Sequence, residues 1–216
     1  MNTPISDYIL AKLGREGVYA DLVFRYADPT DRTVTLLAAV RDGEHICVAA
    51  DSLQIWQVAG YGSECDKLEQ YGERVVWGFY GPGPIEACFK LHLNTIKYPL
   101  TWDDLSYKVQ WAAILTNRQS WDTGGFSALF AGRLGNVWGI RAYGGRALVS
   151  DPRGEWCLVG VNRLAGKVAW EITLAAASIE DRLGGVMNTV VKASPAVLGL
   201  PVKRWAITPN ACTLIS

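Results

Sequence analysis

Of the 216 residues, half are hydrophobic and 19% are charged, enough apolar material for a substantial core and too much for an intrinsically disordered chain. Twenty-one Lys and Arg balance 21 Asp and Glu, so the clustered basic excess of a nucleic-acid binder is missing. No run approaches the roughly eighteen apolar residues that suggest a membrane span. Five cysteines (Cys47, Cys65, Cys88, Cys157, Cys212) are odd in number and form no C-x-x-C pair. They point to a reduced, cytoplasmic setting and away from a disulfide scaffold or a zinc site. The opening MNTPISDYILAKLGREG has neither the basic start nor the unbroken apolar run of a secretory signal. No clustered ligands suggest a metal or another cofactor.

Read in chain order, Ile5, Ile9, Leu10 and Leu13 have helical spacing up to Gly14, and VYADLVFRY (18–26) fits helix or strand. Next comes the clearest local signal: TVTLLAAV and HICVAADS flank RDGE, a hairpin around an Asp-Gly turn. IWQVAG and RVVWGFYG offer further strands. Ile85, Cys88, Phe89, Leu93 and Ile96 then form a helical stripe, with Pro84 where a first turn tolerates it. A second helix is expected over about residues 102–118, with Leu105, Val109, Ala112, Ala113 and Thr116 on one face and Thr101 with Asp104 as a capping arrangement. Strands return in FSALFAGR, VWGIRAYG and EWCLVGV. A small-residue helical face runs from Leu164 to Leu183, Gly184-Gly185 interrupts it, and a shorter helix covers Val186 to Ala193. KRWAITPNACTLIS closes the chain in strand-like residues. Segregated strands and helices imply α+β layering: a four-layer αββα sandwich, two antiparallel sheets between helical layers.

This order and the hairpin resemble the proteasome-type N-terminal nucleophile hydrolases over roughly residues 33–210. TVTLLAAVRDGEHICVAADS is similar to the opening hairpin of a proteasome β subunit or its bacterial relatives, where a threonine begins the first strand and Ala-Ala-Asp-Ser ends the second. From Thr35, Asp51 lies sixteen residues on, Lys67 a further sixteen, and Gly81, in FYGPG, fourteen after that. The family has threonine, aspartate, lysine and an oxyanion-hole glycine at these separations. The resemblance thus implies Thr35 as nucleophile, Asp51 as the carboxylate orienting the lysine, Lys67 as the pKa-lowering cation and Gly81 as oxyanion donor. Aligning on the Asp-Gly turn makes Thr33 the nucleophile instead. Residues 1–32 are then an N-terminal extension or propeptide, and 33–216 the hydrolase-like domain.

The implied chemistry accounts for these residue types. A threonine hydroxyl needs a base, here its own freed α-amine. An adjacent ammonium lowers the pKa of both groups, and a backbone N–H at a tight turn stabilises the oxyanion by about 3 kcal/mol. Other features depart from the family. Arg32 and Val34, not glycine, precede the two threonines, and Gly160-Val161-Asn162-Arg163 lacks the serine of the family's Gly-Ser-Gly-Ser segment. VVKASPAV offers Ser194 without the expected aspartate, and GREGVYADLVFRYAD is similar to the N-terminal helix of non-catalytic proteasome α subunits.

Two functions stay open. One is a threonine-type peptidase or amidohydrolase activated by cleavage before Thr35 or Thr33, acting on a peptide or amide. The other is a non-catalytic structural or binding subunit that keeps its extension. Both imply self-association, in a ring-like homo-oligomer, without nucleic acid or membrane. His45 and His92 read as surface or packing residues, and the nine tryptophans as core and interface.

Overall fold

The computed structural model describes residues 35–55, 62–64, 66–81, 83–95, 98–119, 126–144, 149–150, 156–160, 178–193, 198–199 and 201–215. The expected helix at 5–13, the segment 18–26, most of the IWQVAG strand and the helical face from Leu164 to residue 177 lie outside them.

The hairpin forms from β1 (Leu36–Asp42) and β2 (His45–Ala50), paired antiparallel with Asp42 opposite His45. Its two-residue loop is therefore Gly43-Glu44, one place later than an Asp-Gly loop. Gly43 has φ 56°, a left-handed conformation that suits glycine. In β1, Leu36, Ala38 and Val40 face one side and Leu37 and Ala39 the other, and all are buried. The run is apolar throughout because the strand is covered on both faces.

One antiparallel sheet has the order β10 (Trp156–Gly160), β1, β2, β11 (Lys203–Ile207), β12 (Cys212–Leu214). The second runs β5 (Leu68–Gln70), β6 (Val75–Tyr80), β7 (Ser127–Leu134), β8 (Val137–Gly144), β9 (Val149–Ser150). A ribbon of β3 (Leu53–Ile55) and β4 (Gly62–Glu64) stands apart from both. The tail is thus two strands joined as a hairpin, not a single closing strand.

Three apolar interfaces separate four layers. Helices α1 (Gly83–Thr95) and α2 (Trp102–Gln119) pack Phe89, Leu93, Leu105 and Val109 on Trp77, Phe79 and Phe130 of the second sheet. Leu37, Ile46 and Val48 meet Val76, Leu129 and Ile140 between the sheets. Helix α3 (Ile179–Ala193) lays Leu183, Val186, Met187 and Val190 on Leu36, Ala38 and Val40. Each buried Val, Leu, Ile, Phe or Met side chain among them contributes about 1.5–3 kcal/mol. This is the αββα sandwich expected from the order of elements.

Helix α3 corrects the expected break. It runs unbroken through Gly184-Gly185, and its cap is Ser178, whose Oγ accepts the Asp181 N–H at 3.1 Å and donates to the Asp181 carboxylate at 2.9 Å. Two interior glycines cost about 1 kcal/mol each, which packing on the sheet offsets. A Cβ on Gly184 would lie 2.8 Å from the Arg204 guanidinium, so the missing side chain lets Arg204 of β11 lie across the helix. In α2 the expected capping arrangement is present, with Asp104 N–H donating to Thr101 Oγ1 at 3.1 Å and Thr101 N–H to the Asp104 carboxylate at 2.9 Å.

Candidate active site

The ends of four strands place the candidate residues. Thr35 immediately precedes β1 and is 5% exposed, and Asp51 immediately follows β2 and is fully buried. Lys67 leads into β5 in the opposite sheet, and Gly81 follows β6. Because β5 and β6 pair with Leu68 opposite Gly78, Lys67 and Gly81 lie at the same end of the second sheet. Gly78 lets the layers close up there: a Cβ on it would lie 2.8 Å from the Leu37 side chain and 3.0 Å from the Lys67 carbonyl.

Asp51 and Lys67 are joined directly across the two sheets. The Lys67 ammonium donates to both carboxylate oxygens, at 3.0 Å to Oδ1 and 2.9 Å to Oδ2, with the lysine side chain only 8% exposed. Three backbone amides complete the carboxylate's surroundings: Leu36 N–H to Oδ1 at 2.8 Å, and Leu53 and Gly199 N–H to Oδ2 at 3.2 and 3.3 Å. Burial pushes the Asp51 carboxyl above its ordinary value, and the Lys67 ammonium and the amides of Leu36 and Gly199 oppose that rise. Four donors on two oxygens suit the carboxylate form, which keeps a fixed ammonium at the mouth of the inter-sheet layer.

Thr35 is held by its backbone neighbours. Leu36 donates to Asp51 and its carbonyl accepts the Asp51 N–H at 3.2 Å, so the residue after the threonine is locked to the aspartate. On the other side, Gly160 of β10 has φ 111°, and a Cβ there would lie 1.9 Å from the Thr35 carbonyl oxygen. Only glycine fits beside Thr35. Gly81 is similarly confined, since a Cβ would lie 2.6 Å from the Phe79 ring and 2.7 Å from Phe126 Cβ. Thr33 lies outside the described residues.

Several contributors had no sequence signal. The amides of Leu36, Leu53 and Gly199 act through the main chain, which every residue carries alike. Gly199 is a further case: its carbonyl accepts the Ser52 N–H at 3.3 Å, and a Cβ on it would lie 2.5 Å from Leu53 Cβ. Ser52 is buried beside Asp51 with no partner for its hydroxyl among the described residues. The two histidines are elsewhere: His92 is buried in α1, and His45 at the far end of β2 meets Glu180 at 2.9 Å. Among the described residues no three His, Cys, Asp or Glu side chains converge as metal ligands. No helix there is long and apolar enough to cross a membrane.

No family model and no curated protein matches the sequence. Solved structures do match. Anbu (ancestral beta-subunit) from Yersinia bercovieri superposes with a TM-score of 0.68 at 14% identity, over 84% of this chain and 87% of that one. The Anbu complex from Pseudomonas aeruginosa, solved as a helical assembly, gives 0.65 at 14% over 80% and 81%. Thiobacillus denitrificans BPH, in complex with epoxomicin, gives 0.61 at 17% over 80% and 98%. All are proteasome-type N-terminal nucleophile hydrolase relatives, and the chain has their fold.

Proposed function

Given that fold, we propose that the chain is a proteasome-like threonine-type peptidase or amidohydrolase subunit, with residues 1–34 removed to free Thr35. The observation that carries this reading is the buried Lys67–Asp51 pair at 2.9 Å, one peptide unit from Thr35 through the Leu36 amide. Cleavage of the Val34–Thr35 bond would give Thr35 a free amine. That amine takes the hydroxyl proton as Oγ attacks the substrate carbonyl carbon. The Lys67 ammonium, held by Asp51, favours the deprotonated hydroxyl by its charge. Gly81 N–H donates to the oxyanion. The carbon–nitrogen bond then breaks as the amine returns the proton to the leaving nitrogen, and water hydrolyses the ester. Thr33 fills the same role if cleavage falls two residues earlier. Assembly with further copies, as the Pseudomonas aeruginosa relative assembles, and a cytoplasmic setting accompany this reading.

A second reading has its own support. The absence of glycine before either threonine, and of serine in Gly160–Arg163, favours a subunit that keeps its extension and binds or builds without cleaving. Intact mass separates the two. Loss of residues 1–34 and a covalent adduct with epoxomicin, both abolished by Thr35→Ala, are expected for the enzyme. A stable full-length species that forms no adduct overturns it and leaves the scaffold.

A further inference from the structure

Beside the Asp51–Lys67 contact lies a second ion pair between the same two parts of the chain, with its signs reversed. Lys203 opens β11 and pairs with Ala50, the residue before Asp51. Trp205 and Ile207, two and four places on, pack in the interface between the sheets. By strand alternation Lys203 therefore shares that face, at its rim. Its ammonium meets the Asp66 carboxylate at 3.0 Å, with the two side chains 25% and 71% exposed. Asp66 is the residue before Lys67. The sheet of β1 and β2 thus presents an anion and a cation, Asp51 and Lys203. The segment leading into β5 answers them with Lys67 and Asp66.

Strand pairing does little to orient Lys67. β5 is the outer strand of its sheet, three residues long, and its pairing with β6 begins at Leu68 opposite Gly78. Residues 66 and 67 lie beyond that ladder. A lysine head group is strongly hydrated on a flexible stem, so its inward direction has to be held. While Lys203 keeps Asp66 at the rim, the chain at 66–67 cannot roll over without breaking that pair. Rolling it over would also bring Asp66 toward Asp51 and Lys67 toward Lys203, like charge against like. We infer that Lys203 is a positioning residue, acting through Asp66 to keep the Lys67 ammonium turned toward Asp51 and the Thr35 corner. The inference rests on the reading of Lys67 as the cation that serves Thr35. A partly exposed ion pair adds little to global stability; its consequence here is direction.

Acetylation of the full chain by acetic anhydride, read lysine by lysine with mass spectrometry, tests it. Lys203→Met and Asp66→Asn are each expected to speed acetylation of Lys67 by about three- to fivefold, the shift an exposed pair can carry. Lys108, at the other end of β5, keeps its rate. Loss of charge alone would move the two variants in opposite directions, since removing Asp66 lowers the pKa of Lys67 and removing Lys203 raises it. Lys203→Arg keeps the pair and leaves Lys67 at its wild-type rate. Combining Lys203→Met with Asp66→Asn adds nothing to either change, because both act through one contact. Lys67 rates that stay put, that move in opposite directions, or that rise together with Lys108 overturn the inference. So does a Lys203→Arg chain as reactive at Lys67 as Lys203→Met. None of these readouts needs turnover. Wild-type chain that forms no adduct with epoxomicin overturns the enzyme reading, while the acetylation pattern still decides the role of Lys203.

Discussion

Strand β5 is three residues long, and a lysine is buried at each of its ends on different terms. Before it, the Lys67 ammonium meets the Asp51 carboxylate at 2.9 Å, among amides that also serve that carboxylate. After it, the Lys108 ammonium of α2 donates to the Tyr71 hydroxyl at 2.6 Å and lies 5.2 Å from the centre of the same ring. Burial lowers the pKa of Lys108 and pushes the Tyr71 phenol well above its ordinary value. The first lysine is set against a full opposite charge that also ties β1 to the second sheet. The second meets a phenol hydroxyl and an aromatic face, which pin α2 to the β5–β6 turn. Position in the core does not distinguish them; the group that each ammonium is seen to meet does.

The largest expected effect comes from Asp51→Asn. Taking the negative charge away from a buried ammonium costs about 3–5 kcal/mol, read by urea denaturation, and removes any Thr35-dependent turnover. Adding Lys67→Met to Asp51→Asn is expected to cost less than the sum of the single changes, because the pair acts as one unit. An additive result breaks the comparison at its first end. Gly160→Ala comes next. A Cβ placed 1.9 Å from the Thr35 carbonyl forces β10 off the start of β1, at about 2–3 kcal/mol, again by urea denaturation. It should cut processing or epoxomicin labelling while leaving the Lys108 end intact. Lys108→Met is smaller, about 1 kcal/mol in either direction, since burial already disfavours the Lys108 charge and a well-packed apolar side chain can replace a buried charge. A loss as large as that of Asp51→Asn would erase the distinction.

The smallest effect is a pH trend at Lys108. Its folded pKa is below its unfolded value of 10.5, so between the two the unfolded chain binds more protons and stability rises with pH. Compared with Lys108→Met, the wild-type chain should therefore gain stability as pH climbs toward 10.5, measured by thermal melts in matched buffers. A flat difference would mean that Lys108 holds its proton as tightly in the folded chain as in the unfolded one.

The longer elements were legible because their patterns are local. β1 and β2 flank a glycine turn, α2 opens with Thr101 and Asp104, β6 and β8 are aromatic and β-branched runs, and β7 is an apolar run around Phe130. Strands β3, β4, β5 and β9 span two or three residues, too short for any alternation to register. The start of α3 is written in Ser178 and Asp181, an Asp-bearing capping signal masked in the sequence by apolar spacing that continues upstream of it. At the site, the spacing of Asp51, Lys67 and Gly81 from Thr35 was visible through the family resemblance. That Gly160 and Gly199 crowd the same corner was not, since a glycine in the chain does not say what occupies its missing side chain.

By itself the sequence determined the apolar runs, the turns and caps, and therefore the alternation of strands and helices that leads to two sheets between helical layers. Those are local properties, set by backbone conformations and by which residues avoid water. Only the tertiary structure decided that Asp51 and Lys67 meet at 2.9 Å across two sheets and that Thr35 is walled in by Gly160. It also decided that α3 survives its two glycines. Each of these depends on atoms far apart in the chain meeting at contact distance, and that follows from how the layers pack.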